Sequence, residues 1–176
     1  MLLGLVGKKQ SGKDTVFEHL FHLWNERRII SRPHRLAFAD EVYNEVAKKL
    51  GIEVSQLKLN KNTSPEVRKL LQNHGTEMRE KDLLYWISKV VPLVDDTKLQ
   101  IITDCRFTNE ADWIIARGGK LIRIRREETD NHDDKHESET EMDNIRDFSY
   151  IIINDFSQER LKHSTYDMIK TVYPEA

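Results

Sequence analysis

Residues 7–15 read GKKQSGKDT, and their types and spacing suit the wrapping of a polyphosphate. Gly7 and Gly12 permit backbone conformations that turn successive N–H groups inward, and a helix opening at Lys13 would add its positive N-terminal end. Lys8 and Ser11 lie within the same loop, and Lys13 would reach the terminal phosphates of a nucleotide such as ATP. The following residue in such loops is usually a hydroxyl that ligates Mg²⁺; here it is Asp14, with Thr15 next. A carboxylate is a stronger magnesium ligand than a hydroxyl and repels phosphate when no metal is present. Either Asp14 faces the metal, or it turns away and Thr15 supplies the oxygen.

Three further stretches carry chemistry. ITDCRFTNEADW puts Asp104 at the end of an apolar run, where a carboxylate could hold magnesium directly or through water, with Arg106 able to pair with a phosphate. Asn109 and Glu110 could hydrogen-bond a sugar or base, although the same residues also suit a strand-end cap and a surface ion pair. LLQNHGTEMREKDLLYWI supplies Gln72, Gly75, Thr76, Arg79 and Trp86, an arginine clamp with a glycine, an amide and an aromatic ring for a second phosphate-bearing ligand. Periodicity alone reads that stretch as an amphipathic helical pair with Trp86 in its core. Arg123 and Arg125 lead to Arg126, which opens a run from 126 to 143 with nine acids and two bases, the composition of a polar lid. His132 and His136 stand four apart in it, but their acidic flanks favour a solvated segment over a zinc site.

The elements that must position these residues are legible as apolar runs and helical spacings. Leu2 to Val6 is a continuous apolar run, as in a strand buried on both faces, and Val16, Leu20 and Trp24 recur at helical spacing. Leu36 to Ala39 reads as a short strand, with Asp40 capping a helix that Gly51 closes. Ser64-Pro65 is an N-cap followed by proline at the first helical position, and a further helix spans 82–91. LQIITD, KLIRIR and YIIIN read as strands; Gly118-Gly119 ends the helix between the first two, and Ser157 caps a last helix. Strands alternating with helices predict an α/β fold, a parallel sheet flanked by helices in three layers, with ligands at the carboxyl ends of the strands.

Length and composition bound the rest. The 176 residues suit one domain, and the formal net charge of −2 disfavours a general nucleic-acid coat. The lone Cys105 cannot form an internal disulfide, and the N-terminal apolar run is too short for a signal peptide or a membrane span. A cytoplasmic protein without nucleic-acid or membrane partners is the expectation.

Read in order, GKKQSGKDT, LAFADEVYNEVAKKLGI, LLQNHGTEMRE, ITDCRFTNEA, IRIRR, HESETE and IIINDFSQERL resemble the phage-type deoxynucleoside monophosphate kinases, a branch of the P-loop nucleoside monophosphate kinases. The resemblance implies a P-loop NTPase fold over 1–176, with a helical monophosphate-binding region at about 40–95 and a short lid at about 126–143. It implies transfer of the γ-phosphoryl group of ATP to a deoxynucleoside 5′-monophosphate with Mg²⁺, in the host cytoplasm if the protein is phage-encoded, and it is compatible with a homodimer. On this pattern Gly7, Lys8, Ser11, Gly12, Lys13, Asp14, Thr15 and Arg125 bind ATP, and Lys13, Arg106 and Arg126 stabilise the transferred group. Asp40, Gln72, Gly75, Thr76, Arg79, Trp86, Asp104, Arg106, Asn109 and Glu110 serve the monophosphate, and Asp14, Thr15 and Asp104 are the candidate metal ligands. Asn44 or a neighbour stands where the family has a lysine. Dephospho-coenzyme A and phosphomevalonate kinases are the nearest alternatives, the latter with a similar lysine-aspartate loop. A non-catalytic ATP-binding switch is the alternative from another class.

Overall fold

The computed structural model describes residues 1–27, 31–130 and 140–174. The chain divides into two compact units, one formed by Met1–Leu36 with Asp95–Ala176 and the other by Ala37–Val94.

The first unit is built on five parallel strands: β1 (Leu2–Val6), β2 (Pro33–Leu36), β3 (Leu99–Cys105), β4 (Lys120–Arg125) and β5 (Tyr150–Ile153). Their order is β2-β3-β1-β4-β5, so β1, apolar throughout and buried at every position, lies at the centre. Parallel strands need crossovers, and helices α1 (Lys13–Arg27), α6 (Thr108–Ala116) and α8 (Gln158–Val172) serve the sheet. On one face Val16, Leu20 and Leu23 of α1 and Leu161, Met168, Ile169 and Val172 of α8 pack on Leu3, Leu5, Ile101, Ile122, Ile124 and Ile152. Ile114 of α6 packs on Gly4 and Leu121, which point to the other face. This is the three-layer α/β arrangement expected for a P-loop kinase. The second strand differs from the sequence expectation: it runs from Pro33 to Leu36, in register with Leu99 to Ile102, and Phe38 already begins a helix.

The second unit is helical: α2 (Phe38–Leu50), α3 (Val54–Thr63), α4 (Pro65–Lys81) and α5 (Tyr85–Val90), then a single 3₁₀ turn. Tyr43, Val46, Ala47, Leu57 and Leu71 form its core. Ser64 caps α4 through a hydrogen bond from the Val67 N–H, 3.3 Å, as its sequence predicts. Asp40 does not cap α2; Ala37 holds that position, and Asp40 lies in the first turn, where it accepts a hydrogen bond from Lys58, 2.9 Å. Of the acidic run 126–143, Glu127–Asp130 forms one helical turn, α7, and Glu141–Asn144 a 3₁₀ turn. His132 and His136 lie outside the described residues. No described helix is long and apolar enough to cross a membrane.

The tightness of the α6 face is testable. A Cβ added at Gly4 would meet Ile114 Cδ1 at 2.7 Å and Leu121 Cδ2 at 2.9 Å. Gly4→Ala should therefore cost about 1–3 kcal/mol in a denaturant titration, the usual range for an overpacked core.

Candidate functional site

The loop between β1 and α1 is shaped by its backbone. Gln10 and Gly12 both adopt positive φ, 64° and 103°, while the Ser11 N–H bonds back to the Lys8 carbonyl at 3.1 Å. Alternating backbone handedness makes a concave nest of N–H groups, and the first turn of α1 adds donors that have no partner within the helix. Gly12 is also required sterically, because a Cβ there would lie 2.5 Å from Asn154 Nδ2. Asn154, just past β5, donates from that nitrogen to the Ser11 carbonyl at 2.9 Å and so ties the loop to the far side of the sheet. The Ser11 hydroxyl is fully buried without a hydrogen-bond partner, so Ser11 serves the loop through its backbone.

Lys13 closes the loop on itself. Its Nζ donates to the carbonyls of Gly7 at 2.6 Å and Lys8 at 2.7 Å, and the residue is only 8% exposed. Burial, and then the charge of Arg106, lower its pKa to about 7; Asp14 and Asp104 act in the opposite direction, and Arg123 lowers it slightly further. Lysine, two arginines and two carboxylates therefore converge electrostatically on one cradle. Asp14 is exposed and Thr15 half-buried. Magnesium bound with a nucleotide takes only one or two protein oxygens and draws the rest from phosphate and water, so Asp14 or Thr15 together with Asp104 fits that demand. Among the described residues no group of three or more His, Cys, Asp or Glu is placed to hold a metal by itself.

Around the cradle, the remaining predicted residues divide by what they touch. Arg126 Nη1 reaches the Gln10 carbonyl at 3.4 Å and its Nη2 pairs with Glu128 at 2.6 Å, while Arg125 pairs with Asp130 at 3.0 Å. Glu110 is 3% exposed and accepts from the backbone N–H groups of Arg106, 2.9 Å, and Phe107, 3.2 Å, so it shapes the turn that presents Arg106. Asn109 accepts from the Glu110 N–H at 2.9 Å.

Several residues at the site carry no signal in the local sequence. Lys8 pairs with Asp143 at 3.2 Å, and Arg123 with the other oxygen of that carboxylate at 3.1 Å. A cavity of about 450 Å³ beside Asn154 is lined by Arg126, Asp155, exposed Phe156 and Gln158. The one available pointer to Asn154 and its neighbours is their place at the carboxyl end of a strand.

In the helical unit, Gln72, Gly75, Thr76 and Arg79 follow at i, i+3, i+4 and i+7 and share one face of α4. Gly75, Arg79 and Trp86 meet at the Gly75 carbonyl, which accepts from Trp86 Nε1 at 2.9 Å and Arg79 Nη1 at 3.4 Å. Trp86 is 2% exposed and so supports Gly75 from within the unit. A Cβ at Gly75 would meet nothing within 4 Å, leaving its outer side open to a ligand. Asp40, in the same unit, accepts from Lys58.

The phosphate cradle makes comparison with known kinases informative. The family model for phosphomevalonate kinase matches residues 5–120, from β1 through the loop, the helical unit and the Asp104 segment to the start of β4. The chain belongs to the phosphomevalonate kinase family. It is also similar to an Acanthamoeba polyphaga mimivirus protein named "Putative deoxynucleotide monophosphate kinase", 27% identical over 187 aligned residues that cover 88% of each chain. Both names describe kinases, and membership of the family makes the chain a kinase-type phosphotransferase.

The state of Lys13 gives a proton-linked signature. With its pKa near 7, Lys13 is largely neutral at about pH 8; an arriving polyphosphate adds negative charge and raises the pKa, so binding takes up a proton. ATP titrated calorimetrically at about pH 8, in buffers of different ionisation enthalpy, should show uptake approaching one proton. Lys13→Met should abolish it.

Proposed function

We propose that the protein transfers the γ-phosphoryl group of ATP to a deoxynucleoside 5′-monophosphate, giving ADP and the diphosphate. The phosphoryl-transfer part of this reading is carried by Lys13, buried and fixed at 2.6 Å and 2.7 Å on the carbonyls of its own glycine loop. A cation held there lies in the loop that would wrap the donor's phosphates, with one N–H of the ammonium left for them. The acceptor part is supported by the viral relative, whose match extends over 88% of this chain. The family model, in contrast, ends at residue 120, before Arg123, Arg125 and Arg126.

On this reading the loop N–H groups hold the donor phosphates, and Lys13, Arg106 and Arg126 neutralise charge on the group in flight. Asp14 or Thr15, with Asp104, would hold a magnesium ion, which would supply further neutralisation of phosphate charge. The acceptor phosphate is already ionised at neutral pH, so no general base is assigned. Gln72, Gly75, Thr76 and Arg79 offer one polar helical face with an arginine for that phosphate, and Asp40 supplies a further acceptor in the same unit.

The family match favours a second reading, in which phosphomevalonate is the acceptor. A panel of the natural deoxynucleoside monophosphates and phosphomevalonate, scored by ADP release with ATP and Mg²⁺, separates the two. Release only with phosphomevalonate overturns the nucleotide assignment, and tight ATP binding with no release across the panel identifies a switch protein. Lys13→Ala should reduce kcat by at least about a hundredfold while the fold persists, the scale expected for losing one such electrostatic group. Arg79→Ala should raise the acceptor KM by about tenfold or more and leave the ATP KM in place, as loss of a charge-assisted phosphate contact does.

A further inference from the structure

The helical unit contains a polar cluster that none of the roles above uses. Glu45 on α2 accepts three hydrogen bonds: Tyr85 Oη at 2.7 Å and Lys89 Nζ at 3.1 Å on one oxygen, and His74 Nε2 at 2.9 Å on the other. His74, 5% exposed on α4, has its remaining nitrogen 3.2 Å from Lys49 Nζ. A lysine ammonium can only donate, so Nδ1 must accept, and the imidazole is the neutral tautomer with its proton on Nε2, directed at Glu45. The chain of donors runs Lys49 to His74 to Glu45. Burial acts to raise the Glu45 pKa, but the hydrogen bonds from Tyr85, His74 and Lys89 outweigh it and hold the carboxyl below its usual range.

The donors to Glu45 flank the Gly75 corner on both sides. His74 immediately precedes Gly75, and Tyr85 immediately precedes Trp86. Both rings meet the Trp86 indole edge-on, with centroids 5.8 Å and 4.9 Å away and interplanar angles of 78° and 85°. Trp86 in turn donates to the Gly75 carbonyl, the atom that Arg79 also reaches. Glu45 thus fixes two rings, the rings fix the indole, and the indole fixes the carbonyl beside the arginine. A general acid or base role does not fit, because the one proton of His74 lies between two protein groups and its other nitrogen faces an ammonium.

We infer that Glu45 is a positioning residue for acceptor recognition, acting through His74, Tyr85 and Trp86 to hold Gly75 and Arg79 in the geometry that receives a phosphorylated acceptor. The inference rests on the proposed assignment of that helix face to the acceptor. Glu45→Gln keeps the shape of the side chain but removes its charge and one acceptor oxygen. With whichever acceptor of the panel is turned over, it should raise the acceptor KM by about tenfold while kcat and the ATP KM stay within about twofold. Trp86→Phe should have a similar effect, and the double variant should be no worse than the worse single one, the non-additivity of two groups acting in one chain.

An acceptor KM within about twofold of wild type, a joint loss affecting both substrates, or multiplicative effects in the double variant would each overturn the inference. A readout independent of turnover separates its failure from that of the proposed function. The Trp86 indole N–H, followed by ¹H–¹⁵N NMR, should exchange with solvent at least about tenfold faster in Glu45→Gln. Unchanged exchange overturns the inference even if the enzyme is active, and faster exchange with no turnover of any panel acceptor counts against the acceptor assignment instead.

Discussion

The constraint on which the first unit depends is the burial of a lysine ammonium inside a backbone loop. Lys13 loses most of its hydration and gains two peptide carbonyls in return, an incomplete exchange that depresses its pKa to about 7. The arrangement holds only if those carbonyls cannot rotate away. Gly7 follows the central strand, a Cβ there would lie 2.6 Å from the Ile124 carbonyl, and the Asn154 amide also fixes the loop. The sheet order therefore serves the chemistry: β4 and β5 lie beyond β1 and carry the backbone and side-chain groups that hold the loop. In the proposed reaction a polyphosphate would add negative charge where three cations meet only two carboxylates.

The helical unit solves a different problem. One of its hydrophobic clusters joins Tyr43, Val46, Ala47, Leu57 and Leu71 of α2, α3 and α4, and polar contacts add to the packing that sets where α5 lies against α2 and α4. In the Glu45 cluster, between α2, α4 and α5, His74, Tyr85 and Lys89 are all aimed at one carboxylate. Such a network is costly if one member is lost, because the others then sit partly buried without partners. That cost makes the position of Gly75 a property of the whole unit.

Local signals make most of the fold legible. β1, β3 and β4 announce themselves as apolar runs, and Ser64-Pro65 and Ser157 mark two helix starts by side chains that do cap. The second strand lies earlier than the expected Leu36–Ala39 because PHRL has no apolar run; what makes it a strand is pairing with β3, a partner more than sixty residues away. Helix α3 is hidden because VSQLKLNKNT has almost no amphipathic pattern and its N-cap residue, Glu53, makes no capping bond. The phosphate loop is readable because it is contiguous. Asn154 and Asp143 are not, since each meets the loop only after the chain has crossed the sheet. Trp86 is readable as core from periodicity, in keeping with its 2% exposure, but its bond to the Gly75 carbonyl is not.

The same distinction between local and distant pairing bears on the acidic run after β4. Three of its described carboxylates are held by cations: Asp130 pairs with Arg125, Glu128 with Arg126, and Asp143 with both Lys8 and Arg123. Each of these cations thus has an internal counter-anion. Exposure then separates them, because Arg125 and Arg126 are 58% and 40% exposed, whereas Arg123 and Lys8 are 11% and 14%. Exposed pairs are worth about 0–1 kcal/mol, so Arg126, whose partner Glu128 is 72% exposed, can exchange a carboxylate for a phosphate oxygen at little cost, whereas releasing Arg125 would leave Asp130, 17% exposed, without that partner. The two cations on Asp143 are held more firmly, since losing that carboxylate would leave their charge in a poorly hydrated place. In the proposed reaction the arginines therefore have separate roles. Arg126, already within reach of the Gln10 carbonyl, is poised for the nucleotide, and Arg123 fixes the returning chain against β4.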